Sequence, residues 1–158
     1  MKRTVYITLA AFILGYAGLC AVVYSFQRSL LYFPQPSSVT VPESTMTLPV
    51  EGAEIVVTVR PHSGPRAIVY FGGNGEDVSW NLASFETAFP DYALYLMHYR
   101  RYGGSTGKPT EKANVADGIA LFEKVHTLHP EVAIAGRSLG SGVAVQVASR
   151  AAASRLVL

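Results

Sequence analysis

The stretch VAIAGRSLGSGVAV, residues 132–145, decides the fold of this chain. Its first four residues are a short apolar run, which is typical of a buried strand, and Ser138 to Ala153 is rich in Ala and Val, which is typical of a buried helix. Between them lies a G-x-S-x-G pentapeptide formed by residues 136–140. A serine in this context predicts a nucleophile elbow, in which Gly136 and Gly140 give clearance and the hydroxyl projects at the edge of the sheet.

Two segments of the sequence are predicted to supply backbone donors to an anion formed on an attacked carbonyl. A helix that begins after Ser138 directs free N–H groups and the positive end of its dipole toward such an anion. The loop GGNGE, residues 72–76, follows another predicted strand, where the second oxyanion donor of a nucleophile-elbow fold is supplied. We therefore expect the N–H groups of Leu139 and Asn74 to converge. The alternative is that these glycines only turn the chain.

The remaining sequence alternates between two kinds of segment. Short β-branched or aromatic runs predict strands, at residues 54–60, 67–71, 92–99, 132–135 and 155–158. Helical periodicity predicts a helix over residues 78–89 and a second one after Thr110 as N-cap. The apolar side of that second helix is predicted to contain Ala113, Ala116, Ala120, Phe122 and Val125. This order predicts an α/β fold, with a mostly parallel sheet and helices on both faces.

The first 28 residues predict a transmembrane anchor. From Thr4 to Gln27 the chain carries no charge, and this length is sufficient to cross a hydrocarbon core of about 30 Å. A cleaved signal peptide is the alternative, but its apolar region is usually shorter, and no convincing cleavage site is present. We therefore predict an anchor over residues 1–28, a Pro-rich linker over 29–45 and a folded part over 46–158.

Charges at the ends of the span predict its orientation. Lys2, Arg3 and the terminal amine precede the span and Arg28 follows it, which places the N-terminus in the cytoplasm and the folded part outside. Cys20 has Leu19 where a lipidated cysteine would be preceded by a small residue, so it is interpreted as an apolar membrane cysteine.

Composition excludes several functions. The net charge of +2 and the scattered basic residues argue against a nucleic-acid partner. The single cysteine excludes an intramolecular disulfide and a paired-cysteine zinc site. The run GGSTGK, residues 103–108, is not a phosphate-binding loop, because Tyr102 and Pro109 stand where that motif requires glycine and a hydroxyl residue.

Four segments in order resemble a known family. QRSLLYFPQP, YFGGNGE, MHYRRYGGSTGKPTE and GRSLGSGVAV together resemble the α/β-hydrolase superfamily, and more narrowly its single-pass, membrane-anchored domain proteins. The resemblance implies a Ser138 nucleophile, hydrolysis of esters, thioesters or acyl lipids, and no metal or organic cofactor. The chain departs from the family at Gly72, where histidine is usual, at His98, where aspartate is usual, and at Arg101, where glycine is usual.

The chain lacks part of the expected catalytic machinery. In this family the base and its orienting acid follow the nucleophile, in the order Ser, Asp or Glu, His. Residues 139–158 contain no Asp, Glu or His, so we expect a C-terminally truncated and nearly inert chain. His98, at a predicted strand end, is the one candidate for a substitute base, whereas His126 and His129 are expected at the surface and Asp117 on a helix face.

A non-catalytic interpretation stays open for these 158 residues. The alternatives are a membrane-anchored, hydrolase-like binding module and a truncated gene remnant. Truncation would also leave the last strand as an open sheet edge that another chain could cover.

Overall fold

The computed structural model describes residues 2–37 and 44–158, which fall into two compact units, Met1–Phe33 and Pro34–Leu158. The first unit contains helix α1 (Lys2–Leu31), which continues three residues beyond the predicted anchor. Its Lys2–Gln27 part has a mean hydropathy of 2.1 and is long and apolar enough to cross a membrane. A signal sequence meets the same criteria. Of the predicted linker, residues 38–43 lie outside the described residues.

The second unit is a six-stranded sheet with helices. Its strands are β1 (Thr45–Val50), β2 (Ala53–Arg60), β3 (Arg66–Phe71), β4 (Ala93–Met97), β5 (Glu131–Gly136) and β6 (Arg155–Val157). A 3-10 turn (Val78–Asn81) leads into α2 (Leu82–Ala88), and the longer helices are α3 (Glu111–His126) and α4 (Leu139–Ala148).

The strand order is β1-β2-β4-β3-β5-β6. Strands β4, β3, β5 and β6 are parallel, whereas β2 is antiparallel to both β1 and β4. The predicted α/β fold with a mostly parallel sheet is confirmed. Strand β1 was not predicted, and it adds an antiparallel edge.

Helices cover both faces of the sheet. On β3, Ile68 and Tyr70 belong to an apolar cluster with Val78 of the 3-10 turn, and Phe85 of α2 packs against it. Phe71 points to the opposite face, where its ring approaches Gly118 of α3. The alternation along β3 therefore gives one helix layer on each side, as strand geometry requires.

Helix α3 begins as predicted but buries a different face. The Thr110 hydroxyl accepts a hydrogen bond from the Ala113 N–H at 3.0 Å, which makes Thr110 the N-cap. The buried residues are Asn114, Val115, Asp117, Gly118, Leu121, Phe122 and Val125. Ala116 is exposed, so the predicted apolar side was partly wrong. A buried carboxylate, Asp117, lies on the packed face because an arginine from outside the helix pairs with it.

Candidate active site

The elbow residue Ser138 has an unusual backbone conformation. It lies between the end of β5 and the first residue of α4, with φ 52° and ψ −114°. Residues other than glycine rarely adopt a positive φ, which costs of order 1–3 kcal/mol and persists only where the surrounding structure imposes it. The Ser138 side chain is exposed and makes no capping hydrogen bond to α4. Its hydroxyl therefore takes no part in capping α4.

The two elbow glycines, Gly136 and Gly140, allow the backbone segments on either side of Ser138 to pack closely. A Cβ atom built on Gly140 would lie 2.0 Å from the carbonyl oxygen of Phe71, and one on Gly136 would lie 2.5 Å from the carbonyl oxygen of Gly140. Both contacts are far below van der Waals separation and involve backbone. The start of α4 is thus packed directly against the end of β3, and only glycine fits at both positions.

The glycine-rich loop lies beside the elbow. A Cβ atom built on Gly73 would be 3.7 Å from the Ser138 Cβ, and Asn74 and Ser138 line the same cleft of about 320 Å³. Leu139 is the first residue of α4, where a helix has no intrahelical partner for its N–H. The structure thus brings together Ser138 and Asn74, with Leu139 next in the chain.

Hydrogen bonds from two tyrosines and to Glu76 help to hold the loop from Gly72 to Gly75. The Tyr99 hydroxyl donates to the carbonyl oxygen of Gly72 at 2.9 Å, and the Tyr102 hydroxyl donates to Asn74 Oδ1 at 3.2 Å. The N–H of Gly73 donates to a carboxylate oxygen of Glu76. Both tyrosines are buried in the segment that follows β4, so the family-like segment MHYRRYGGSTGKPTE supports the loop of the segment YFGGNGE. Sequence reasoning missed these roles, because only the tertiary structure places the two segments together.

Glu76 is the central polar group of this loop. Its carboxylate accepts hydrogen bonds from the Tyr70 hydroxyl at 2.9 Å and from the Asn81 side-chain amide, besides the Gly73 N–H. Burial and the hydrogen bond to Glu76 raise the pKa of Tyr70, so its hydroxyl remains a donor. A guanidinium nitrogen of Arg137 lies 3.8 Å from the same carboxylate.

The candidate substitute base does not reach the cleft. His98 is 1% exposed, and its Nε2 lies 2.9 Å from the Thr58 hydroxyl of β2. Burial lowers the pKa of His98 to about 4, although the charge of Asp77 acts in the opposite direction. His98 is absent from the residues that line the cleft at Ser138. Its contacts are those of a buried neutral histidine in the core.

The other histidines are also remote from this cleft. His126 is exposed and stacks on Phe122, as expected for a surface residue. The surface prediction for His129 was wrong, because its ring is buried between the Tyr95 hydroxyl at 3.2 Å and the Gly64 carbonyl oxygen at 2.8 Å. The prediction missed this site because His129 follows α3 in a turn that folds back onto the sheet. His62 accepts from the Gly64 N–H.

The glycine-rich loop after β4 has a structural role. The Ser105 and Thr106 hydroxyls accept hydrogen bonds at 2.8 Å from N–H groups of β2. Arg100 forms two hydrogen bonds of 2.8 Å with Asp117, and these raise the pKa of Arg100. Asp117, predicted on a helix face, is thus a buried ion-pair partner. Within residues 2–37 and 44–158, no cluster of three or more His, Cys, Asp or Glu side chains could hold a metal ion.

Comparison with solved structures defines the class of this protein. Over 72% of its length the chain superposes on the mouse α/β-hydrolase domain-containing protein 10 with a TM-score of 0.59, at 16% identity and covering 48% of that chain. The chain therefore has the α/β-hydrolase fold.

Sequence comparison gives more particular relatives. An uncharacterised protein of Mycobacterium tuberculosis is 34% identical over 162 residues, which cover 90% of this chain and 56% of the relative. The human protein ABHD12B is 44% identical over 90 residues, which cover 54% of this chain and 25% of that protein. The chain thus spans about half the length of the first relative and a quarter of the length of the second. No family model matches the sequence.

Proposed function

We propose that Ser138 is the nucleophile of a serine hydrolase that cleaves ester, thioester or acyl-lipid bonds. The observation that carries this proposal is the positive φ of Ser138, at an exposed turn that opens into a cleft. In the proposed reaction a general base takes the Ser138 Oγ proton as Oγ attacks the substrate carbonyl. The C–O or C–S bond breaks as the tetrahedral intermediate collapses, and the base gives the proton to the departing alcohol or thiol. Water then releases the acyl group from Ser138.

The proposed oxyanion hole uses backbone donors from two segments. These are the N–H of Asn74, in the loop after β3, and the N–H of Leu139, at the start of α4. The positive end of the α4 dipole adds to the stabilisation of the developing charge. Removing one such donor costs about 10² to 10³ in kcat in a serine protease.

The general base is proposed to lie outside these 158 residues. Residues 139–158 contain no Asp, Glu or His, and no histidine lines the cleft. We propose that the base and its acid are supplied in a longer polypeptide, for which the length of the relatives gives room. Because loss of triad function costs about 10⁶ in turnover, the 158 residues alone are expected to be nearly inert.

Helix α1 is proposed as a membrane anchor with a cytoplasmic N-terminus. The proposal rests on its length and hydropathy and on the charges of Lys2 and Arg3 before the span. The expected result is that the protein stays in the membrane fraction after alkaline carbonate washing and that protease added outside digests the folded part. Detection of a mature protein that begins beyond α1 would contradict the anchor and favour a signal sequence.

A non-catalytic role is the second candidate, and it rests on an exposed strand edge. The edge strand β6 also exposes apolar residues, with Leu156 39% and Val157 54% exposed. Unpaired strand edges can pair with another chain. In this alternative the protein is a membrane-anchored binding module, or a remnant, in which a partner chain covers β6.

Labelling with a fluorophosphonate probe separates these candidates. The probe reacts with activated serines, so the product of the full reading frame is expected to label and the Ser138→Ala variant is not. Ser84→Ala, at an exposed position on α2, is the matched control and is expected to label like the unmodified protein. Equal labelling of Ser138→Ala would exclude the nucleophile. No labelling of any form would favour the binding module.

A further inference from the structure

Glu76 contacts both the loop from Gly72 to Gly75 and the residue that directly precedes Ser138. Its side chain is 13% exposed and lies three residues beyond Gly73, whose N–H it binds. It also lines the cleft with Asn74 and Ser138. The carboxylate therefore fixes the Gly72–Gly73 peptide, and the next peptide along the chain carries the Asn74 N–H.

The same carboxylate connects to the elbow through Arg137. The guanidinium of Arg137 is 3.8 Å from a Glu76 oxygen, and Arg137 directly precedes Ser138. The Arg137 side chain is 70% exposed, so this ion pair contributes little to folding stability. Its position is informative because it links the two segments that supply the proposed oxyanion donors.

A carboxylate satisfies all the partners of this residue in their present orientations. The Gly73 N–H, the Tyr70 hydroxyl and the Asn81 amide all donate to Glu76. A glutamine of the same shape has one acceptor oxygen. Either the Gly73 N–H loses its acceptor, or the Tyr70 hydroxyl and the Asn81 amide must both turn from donating to accepting. In either case the loop loses hydrogen bonds of its present arrangement, and it is expected to shift.

We infer that Glu76 is a positioning residue, whose carboxylate holds the loop from Gly72 to Gly75 in place against the Ser138 elbow. Its hydrogen-bond partners are Gly73, Tyr70 and Asn81, and Ser138 is not among them. By holding the Gly73 N–H on its own oxygen, Glu76 sets the orientation of the next peptide, which carries the N–H of Asn74. This inference rests on the proposed function of Ser138.

The test compares Glu76→Gln with Glu123→Gln, the same substitution at an exposed position of α3. Both are made in the full reading-frame product, and hydrolysis of a p-nitrophenyl ester is measured over a range of concentrations. Glu76→Gln is expected to lower kcat by about 10- to 100-fold and to leave KM within about twofold, since the loop donor acts on the transition state. Glu123→Gln is expected to change neither constant.

Equal kcat values in the two variants would overturn the inference. If the unmodified protein shows no Ser138-dependent labelling or hydrolysis, the proposed function fails, and the inference fails with it. Because Glu76→Gln could reduce folding, Arg137→Gln provides a second test at an exposed side chain. It is expected to lower kcat by about threefold to tenfold at unchanged melting temperature, and an unchanged kcat would overturn the link to the elbow.

Discussion

Arg101 and Ser138 are the residues other than glycine that adopt a positive φ in the described part of the chain. The conformation of Ser138 belongs to the candidate site. Arg101, with φ 71°, is an exposed residue after β4, where the resembling family usually has glycine. A left-handed conformation costs a residue with a Cβ about 1–2 kcal/mol. The Arg101 N–H donates to the Ser105 carbonyl oxygen at 3.0 Å, and glycine would keep this backbone hydrogen bond.

Arg101→Gly is therefore expected to stabilise the protein by about 1 kcal/mol, after the entropy of glycine in the unfolded chain is subtracted. Chemical denaturation measures this as a higher midpoint at unchanged slope. Arg101→Ala is the control, since it removes the long side chain but keeps the Cβ. An equal gain in both variants would mean that the guanidinium, and not the backbone, destabilises the loop.

Gly140 and Gly142 provide a matched pair on one helix. A Cβ on Gly140 would collide with the Phe71 backbone, whereas a Cβ on Gly142 would meet nothing within 4 Å. Gly140→Ala is expected to destabilise by more than about 3 kcal/mol, since neither β3 nor α4 can move without disrupting the sheet. Gly142→Ala is expected to stabilise by up to about 1 kcal/mol through helix propensity.

Urea denaturation of both variants measures the difference. A Gly140→Ala protein as stable as Gly142→Ala would show that α4 can withdraw from β3, and the close packing of the elbow would then be wrong.

Among the elements of the fold, helix α3 has its N-terminus capped by the Thr110 side chain. The Thr110 hydroxyl accepts from the Ala113 N–H, one of the four N–H groups that a helix start leaves unpaired. Thr110→Ala is expected to lower the free energy of unfolding by about 1 kcal/mol, whereas Thr110→Ser keeps the acceptor and most of the stability. Thermal melting of both variants tests this, and equal losses would assign the effect to the threonine methyl group.

The predictability of an element depended on where its residues are buried. Strands β3, β4 and β5 were recognised because central parallel strands are buried on both faces and read as apolar runs. Strand β1 was missed because an edge strand needs no such run, and its TMTLPV sequence contains Pro49. The face of α3 was misassigned because Asp117 is buried through Arg100, 17 residues away, and periodicity cannot show such a pairing.

The residues of the candidate site also differ in how far the sequence predicts them. Ser138, its flanking glycines and Asn74 could be read from local sequence, because a tight turn imposes residue types on adjacent positions. The supports of the loop could not, because Tyr99 and Tyr102 reach it from a separate segment of the chain. Local motifs predict where chemistry is proposed, whereas the contacts that hold it in place follow from the whole fold.

At the scale of the whole molecule, His98 makes folding stability depend on pH. Burial lowers the pKa of His98 from 6.5 to about 4, so between these values the unfolded chain binds a proton that the folded chain does not. The free energy of unfolding is therefore expected to fall as the pH decreases from about 6.5 to about 4, by up to about 3 kcal/mol in total.

Urea denaturation of the whole protein at pH 7, 5.5 and 4.5 measures this dependence. His98→Gln removes the titrating group and retains a partner for Thr58, so its stability is expected to vary less over the same range. An identical slope in both proteins would assign the pH dependence to other groups.

The packing of Gly140 against Phe71 separates two kinds of selection on one pentapeptide. The glycines are demanded by folding, whether or not the protein turns over a substrate, whereas Ser138 is demanded only by the hydrolysis proposed for it. A lineage that gave up hydrolysis would therefore keep Gly136 and Gly140 while its serine drifted. Among descendants of this fold, Gly136 and Gly140 are therefore expected to persist in every lineage. Ser138 is expected to persist only where the proposed hydrolysis is still under selection.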